Sequence, residues 1–412
     1  MTRRRVAITG IGVVSPHGSD ASVMFDALLH GSSAIDYVQI RSDVGTLQAI
    51  GAVVPGEPWL KLPEAQLVAS DRVSHYALVA AAAAVRDAGL AFALEDRTRI
   101  GISVGTCQGG VASEESAYSD IFFKHKSRLS PFTLVKAMYN APAAHIGLAY
   151  QLSGPALTYS TTCSSSAVAI GEAMRQIRHG YCDVMIAGGT DAPFTYVSMK
   201  AWQALKVLAP VPERDPQAAC RPFSLDRNGT VLGDGAAFVV LEDYERAEKR
   251  GGRIYCQIAG YGVCNDATHM TQPSIEGQSR AMELALRDAG IAAEDIGYIN
   301  AHGTGTPLND LTETQAIKAT FGTHAKRLGI SSTKSMHGHL VGAAGALELV
   351  IATLALQRQA VPPTAHLARP DPECDLDYIP HVGREAKLRA AMSNSFGVGG
   401  VAAVLVVSAL RA

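Results

Sequence analysis

Cys163, His302, Lys334 and His339 are the residues of this chain whose types and settings could act together on a substrate. A thiol is well suited to take up an acyl group, as a thioester. Cys163 sits where the apolar, Thr-rich run Leu157-Thr158-Tyr159-Ser160-Thr161-Thr162 meets the Ser/Ala-rich pattern Ser164-Ser165-Ser166-Ala167-Val168-Ala169-Ile170-Gly171. That pattern predicts a strand running into a helix, with hydroxyls available to cap the free N–H groups. A thiol placed there faces the positive end of the helix dipole, which favours thiolate. An arbitrary cysteine is more often a small buried hydrophobe. What singles out Cys163 is a pair of distant motifs, Ile299-Asn300-Ala301-His302-Gly303-Thr304-Gly305-Thr306 and Ser331-Ser332-Thr333-Lys334-Ser335-Met336-His337-Gly338-His339. Each predicts a strand ending on a small-residue loop, which is where open α/β sheets place their ligands. A lone histidine beside glycine is usually structural. Three such loops in one chain, carrying Cys, His and Lys/His, point to a single convergent site. Two histidines without a carboxylate partner argue against proteolysis. Neutral imidazole N–H groups aimed at a thioester carbonyl would instead stabilise an enolate as carbon dioxide leaves malonate.

The elements that must position these residues recur twice. Val6-Ala7-Ile8-Thr9-Gly10-Ile11-Gly12-Val13 is echoed by Cys256-Gln257-Ile258-Ala259-Gly260-Tyr261-Gly262-Val263. Ala84-Val85-Arg86-Asp87-Ala88-Gly89 is echoed by Ala285-Leu286-Arg287-Asp288-Ala289-Gly290, each a helix end with glycine as its C-cap. The same order of strands and helices in each half implies an internal duplication, with the polar stretch Glu245–Arg253 as the seam and one shared core. The 412 residues, 47% hydrophobic and with net charge −2, suffice for a large core and show no basic footprint for nucleic acid. Seven cysteines without a Cys-x-x-Cys pair disfavour a disulfide framework or zinc cluster and fit a reducing, cytoplasmic setting. The apolar start after Arg3-Arg4-Arg5 is broken by Gly10, Gly12, Pro16 and Gly18, unlike a signal peptide, and no apolar run is expected to approach the length of a membrane span.

At these motifs the chain resembles β-ketoacyl-[acyl-carrier-protein] synthases of the thiolase superfamily, above all the condensing subunit of type II polyketide synthases and the fatty-acid elongating synthases. The resemblance covers essentially the whole chain. Besides the three loops it includes Ala187-Gly188-Gly189-Thr190-Asp191-Ala192-Pro193, Arg221-Pro222-Phe223 through Gly233-Asp234-Gly235, and Asn394-Ser395-Phe396-Gly397. It implies an α/β, thiolase-like, five-layered αβαβα fold from two duplicated halves, 1–250 carrying the cysteine and 251–412 carrying the His/Lys/His loops. It also implies an acyltransferase that condenses an acyl thioester on Cys163 with malonyl carrier protein, in a polyketide or polyene pathway or, alternatively, in housekeeping fatty-acid elongation. Carried over to this sequence, Cys163 is the nucleophile, and His302 and His339 are the donors to the malonyl thioester. Lys334 orients groups near His302, and Glu348, Asp310 and Glu313 are supporting acids. The backbone N–H groups of Cys163 and Phe396 form the oxyanion hole, Phe396 gates entry, and Thr304 and Thr306 contact the pantetheine arm. The family needs no cofactor beyond the phosphopantetheine of its acyl carrier protein. It works as a dimer, here either a homodimer or a heterodimer with a chain-length-factor homologue, with Ser130-Pro131-Phe132-Thr133 reaching across so that Phe132 lines the acyl pocket.

The sequence also departs from its relatives. Gly397-Val398-Gly399-Gly400-Val401-Ala402 lacks the bulky ring and polar Asn that follow the gating Phe in fatty-acid synthases, so loop gating is expected to differ. Gln108 stands where elongating relatives have an apolar tunnel residue, and an unpaired amide against an alkyl chain would cost about 1–3 kcal/mol. Two readings stay open: Gln108 faces a growing chain that is not a plain alkyl, or it bonds to the dimer partner. His337-Gly338-His339 offers two imidazoles without a third ligand in view, so no metal is expected. A chain-length factor would lack the nucleophile. A thiolase would carry a second cysteine near the carboxyl terminus, whereas Cys374 lies outside the Gly-rich closing motif.

Overall fold

Small residues decide how the two halves are built. In the computed structural model, which describes residues 3–410, the strand Val6–Val14 (β1) is buried along its whole length under the Ala-rich helix Arg72–Ala88 (α1). A Cβ at Gly12 would stand 2.1 Å from the Ala80 carbonyl oxygen, and one at Gly10 would stand 2.2 Å from that of Ala84. Only glycine lets helix and strand backbones approach this closely. The second half repeats the device: Cβ atoms at Gly262 and Gly260 would meet Ala281 O at 2.1 Å and Ala285 O at 2.3 Å. The Arg-Asp-Ala-Gly echo also has a job, since Asp87 accepts from Ile11 N at 2.9 Å and Asp288 from Tyr261 N at 3.0 Å.

The other strands of the large central sheet are Ile100–Gly105 (β2), Ala156–Tyr159 (β3), Val184–Asp191 (β4), Gly235–Asp243 (β5), Cys256–Asn265 (β6), Ile296–Asn300 (β7), Gly329–Ser331 (β8), Ala390–Phe396 (β9) and Val401–Ser408 (β10). They hydrogen-bond in the order β8-β7-β9-β10-β6-β1-β5-β4-β2-β3. Each half thus has the same topology, β1-β5-β4-β2-β3 and β6-β10-β9-β7-β8, and among the described residues two ladder pairs, Ala7 with Gln257 and Ile8 with Cys256, join β1 to β6. The helices Ser165–Arg178 (α2) and Ala344–Arg358 (α5) pack on each other between the half-sheets. Helix α1 covers one outer face, and Ile275–Ala289 (α3) with Pro307–Phe321 (α4) covers the other, which completes the five layers. A single core runs through the middle layer, joining Ile170 and Met174 to Leu347 and Ile351.

Val341–Arg358 corrects one expectation. It is long and apolar enough to cross a membrane, yet 89% of it is buried inside the protein. Its hydropathy reflects its place in the central layer, where a helix is apolar on every face. The seam at Glu245–Arg253 is partly helical, Tyr244–Lys249, capped by Asp243.

Parallel pairing then places the functional loops. Strands β2, β3 and β4 run parallel, as do β7, β8 and β9. Their carboxyl ends therefore open on one side in each half, and the loops after β3, β7, β8 and β9 meet there.

Candidate active site

Cys163 lies in a tight turn, Thr162–Ser164, between β3 and α2. Thr162 holds φ at 54°, a strained value for a β-branched residue. It is held there by its own hydroxyl, which donates to the carbonyl of Val398 at 2.8 Å. The serines do not cap α2 as the sequence suggests. Ser164 Oγ turns back to Thr161 O at 2.8 Å, Ser165 Oγ accepts from Thr161 N at 2.9 Å, and Ser166 Oγ accepts from Ala346 N at 2.9 Å, tying α2 to α5. The hydroxyls brace the turn instead of the helix.

The loops bring the predicted groups together. Cys163, His302 and His339 are all buried, and their donor atoms lie within 4.8 Å of one another. The two imidazoles meet edge to face, with centroids 5.5 Å apart. Among the described residues, His302 Nδ1 and both ring nitrogens of His339 have no hydrogen-bond partner. Burial, and then the nearby Lys334 charge, hold both imidazoles well below their ordinary pKa, so both are neutral at physiological pH. Unpartnered neutral imidazoles facing a thiol leave their N–H groups free for a substrate oxygen. Three donors so close could also face a cation, but the buried ammonium of Lys334 opposes one.

The supporting acids divide the work. Glu313 accepts from His302 N at 2.9 Å, Gly303 N at 2.8 Å and Asn394 Nδ2 at 3.0 Å, which fixes the His302 loop by its backbone. Asp310 accepts from Gly305 N at 3.2 Å and Phe223 N at 2.9 Å. Lys334 pairs with Glu348, both fully buried; burial raises the Glu348 carboxyl to about 7 against the pull of Lys334. Lys334 thus acts on the imidazoles through its charge, and its hydrogen bond goes to Glu348 rather than into the His302 loop. His337 is a structural residue: its ring nitrogens pair with Gly338 O at 2.7 Å and Thr333 Oγ1 at 2.9 Å.

One expectation about Phe396 changes. It ends β9 opposite Ala402, and its ring stacks edge-on against His302 at 5.7 Å. The next N–H, of Gly397, donates to Val401 O at 2.8 Å. The N–H that reaches the Cys163 sulfur is that of Val398, two residues on. Val398, at the tip between glycines, rather than Phe396, thus presents its N–H to the sulfur, and it lines the cleft. Gly397 permits this approach, because a Cβ there would stand within 2.4 Å of Thr162 Oγ1. The sequence signal was the glycine bracket itself, which marks a loop tip.

The expected thiolate is also corrected. Burial pushes the Cys163 thiol up to about 11, against Lys334 and the Val398 N–H, which lower it. Desolvation outweighs the helix terminus. Inactivation by iodoacetamide should therefore keep rising about tenfold per pH unit from pH 7 to 9.5. A plateau near pH 7 would show that Lys334 and the helix end win over burial.

A cleft of ≈ 320 Å³ leads to Cys163, His302, His339 and Phe396, and Thr304, Thr306, Trp202 and Val398 line it. Thr304 and Thr306 bond to each other at 2.9 Å. Gln108 and Phe132 are not among its lining residues. Gln108 pairs within its own chain, its Nε2 donating to Ser198 Oγ at 2.8 Å, so its amide is not left unpaired. Phe132 sits on an exposed segment beside an apolar groove of ≈ 540 Å³ lined by Tyr118, Ile121, Phe122, Leu129, Pro131 and Leu134. Sequence reasoning quoted Asp191 without giving it a role. Fully buried, it accepts from Cys107 N, Gln108 N, Thr106 Oγ1 and Gly342 N, locking the loop after β2 to the start of the turn before α5.

A thiolase-like doubled fold with a buried cysteine facing two neutral histidines defines an acyl-transferring condensing enzyme. The comparisons agree: residues 3–247 match the Beta-ketoacyl synthase N-terminal domain and residues 255–368 the C-terminal domain. The chain belongs to the β-ketoacyl synthase family. Nodulation protein E of Rhizobium meliloti (strain 1021) is 45% identical over 402 residues, 98% of each chain. 3-Oxoacyl-[acyl-carrier-protein] synthase 2 of Coxiella burnetii is 42% identical over 412 residues, 99% of each. A solved complex of a type II polyketide ketosynthase with its acyl-carrier protein bound to the hexaketide superposes with TM-score 0.91 at 33% identity, over 99% of this chain and 100% of that one.

Proposed function

We propose that this protein is the catalytic ketosynthase of a type II polyketide or polyene pathway, working in the cytoplasm on substrates tethered to the phosphopantetheine of an acyl carrier protein, with no resident cofactor. The observation that carries the reading is the meeting of one thiol and two neutral, unpartnered imidazoles at the inner end of a single cleft. In the first half-reaction the Cys163 sulfur attacks an acyl thioester, and the carrier leaves as its thiol with the proton. The N–H groups of Cys163 and Val398 take the developing oxyanion. In the second, His302 and His339 donate N–H bonds to the malonyl thioester oxygen as the carboxylate leaves as carbon dioxide. The enolate carbon then attacks the acyl carbonyl on Cys163, a carbon–carbon bond forms, and the sulfur leaves and takes up a proton. Phe396 braces the His302 ring from the side.

The pathway rests on the likeness to the type II polyketide ketosynthase, not on Gln108, whose amide bonds to Ser198. Housekeeping fatty-acid elongation is the second reading, favoured by the Coxiella relative. A second chain, either a copy or a chain-length-factor homologue, fits the edge strand β3, half of it exposed, and the apolar groove beside Phe132. Loading of Cys163 from carrier-bound donors separates the pathways. Unsaturated or oxygenated chains should load at least tenfold faster than long saturated ones; the reverse order would assign the protein to elongation. Co-purification with a chain-length-factor homologue should yield a heterodimer.

A further inference from the structure

The loop between His302 and α4 has no secondary structure of its own, yet its two threonines must stand still if they are to guide a substrate arm. Its backbone is held from outside by one side chain that the reaction does not use. Arg227, with 6% of its side chain exposed, donates from Nη2 to Pro307 O at 2.9 Å and from Nε to Thr306 O at 3.4 Å. Its other arm, Nη1, donates to Ser224 O at 2.8 Å and to Asp371 Oδ2 at 2.5 Å. Asp310, 3.9 Å from Arg227 Nε, grips the same loop from the inside through Gly305 N, and Gly229 N donates to Gly305 O at 3.0 Å. Three carbonyls of the loop wall are thus taken by Arg227 and its immediate chain neighbours, while Thr304 and Thr306 face the cleft.

We infer that Arg227 is a positioning residue: with Asp371 as its anchor, it fixes the Thr304–Pro307 wall at the spacing a pantetheine-type thioester arm needs. This rests on the proposed reading of the cleft as the path of such an arm. A planar fork of five donors can hold Ser224 O, Asp371, Thr306 O and Pro307 O at once; an ammonium cannot span them. Loosening the wall changes how the arm is bound while the Cys163 turn and His339 sit on other loops, and His302, at the start of the same loop, is held separately by Glu313 through His302 N and Gly303 N. The effect therefore falls on the concentration of donor needed, not on the reactivity of the thiol.

Arg227→Lys and Asp371→Asn in the full chain test this, with hexanoyl-pantetheine as donor, Cys163 loading read by intact mass, and iodoacetamide as a probe without an arm. Arg227→Lys should raise the donor concentration for half-maximal loading about tenfold, with the maximal rate and the iodoacetamide rate within about twofold of the parent. Asp371→Asn keeps the acceptor but loses the charge, and should shift the same parameter in the same direction by a smaller factor. A fall in maximal rate at unchanged half-saturation, or an equal slowing of alkylation, would overturn the inference. So would failure of both variants to fold, since Arg227 would then serve the fold and not the wall. Loading of the parent protein reports on the reading of the cleft, and the variant-to-parent ratio reports on Arg227.

Discussion

Cys163→Ala should abolish covalent acyl loading, read as complete absence of the acyl mass on the intact protein after incubation with a carrier-bound donor. The expectation follows from geometry. Among the described residues, Cys163 is the cysteine that stands within 4.8 Å of both active-site imidazoles, and the Val398 N–H is aimed at its sulfur. The other cysteines are placed differently. Cys220 and Cys256 are fully buried, and burial pushes both thiols up to about 12. The substitution removes a single buried sulfur, at about 1–2 kcal/mol, too little to unfold a domain with this core. The turn should survive because Thr162 and Ser164–Ser166 hold it through their own hydrogen bonds. With the imidazoles left in place, carbon dioxide release from malonyl carrier should persist while condensation is lost. An acyl mass on the alanine variant would sink the assignment of the nucleophile.

His339→Ala should separate the two half-reactions: loading within about threefold of the parent, and carbon dioxide release slowed about 10²–10³-fold, the usual effect of losing one oxyanion donor. The backbone at this position is anchored independently of the ring, His339 N donating to Val231 O at 2.7 Å and Gly233 N donating to His339 O at 2.9 Å. Truncation therefore removes the donor and keeps the loop. The pH dependence has a defined sign. A buried neutral histidine has its pKa below 6.5, so the neutral form is kept as the solution is acidified through that value. Carbon dioxide release in the parent should stay level from pH 8 to 6.5 and fall only below it. A decline centred at or above 6.5 would mean that the imidazoles are solvated, and loss of both half-reactions in His339→Ala would assign this residue another role.

Much of this site is legible in the sequence alone. Cys163, His302 and His339 were legible because each ends a strand on a loop of small residues, a pattern local enough to be carried by adjacent letters. The duplication was legible as well, since Gly-x-Gly and Arg-Asp-Ala-Gly serve backbone contacts that no other residues can make. The membrane-length apolarity of Val341–Arg358 could not be interpreted locally, because a helix in a middle layer and a helix in lipid have the same composition.

The sequence by itself determined which groups could react together and the order of the elements. Chemistry of that kind depends on residue type, and element order on local periodicity. The tertiary structure alone decided which atoms face which. It moved the second N–H at the sulfur from Phe396 to Val398, because strand pairing with β10 turns the Phe396 and Gly397 backbone away. It paired Gln108 with Ser198, Lys334 with Glu348, and Arg227 with Asp371, contacts between residues 14 to 144 positions apart. It also set the charge state of the thiol, since burial is a property of the whole packed layer, and desolvation there outweighs what the helix end next to Cys163 would give it in water.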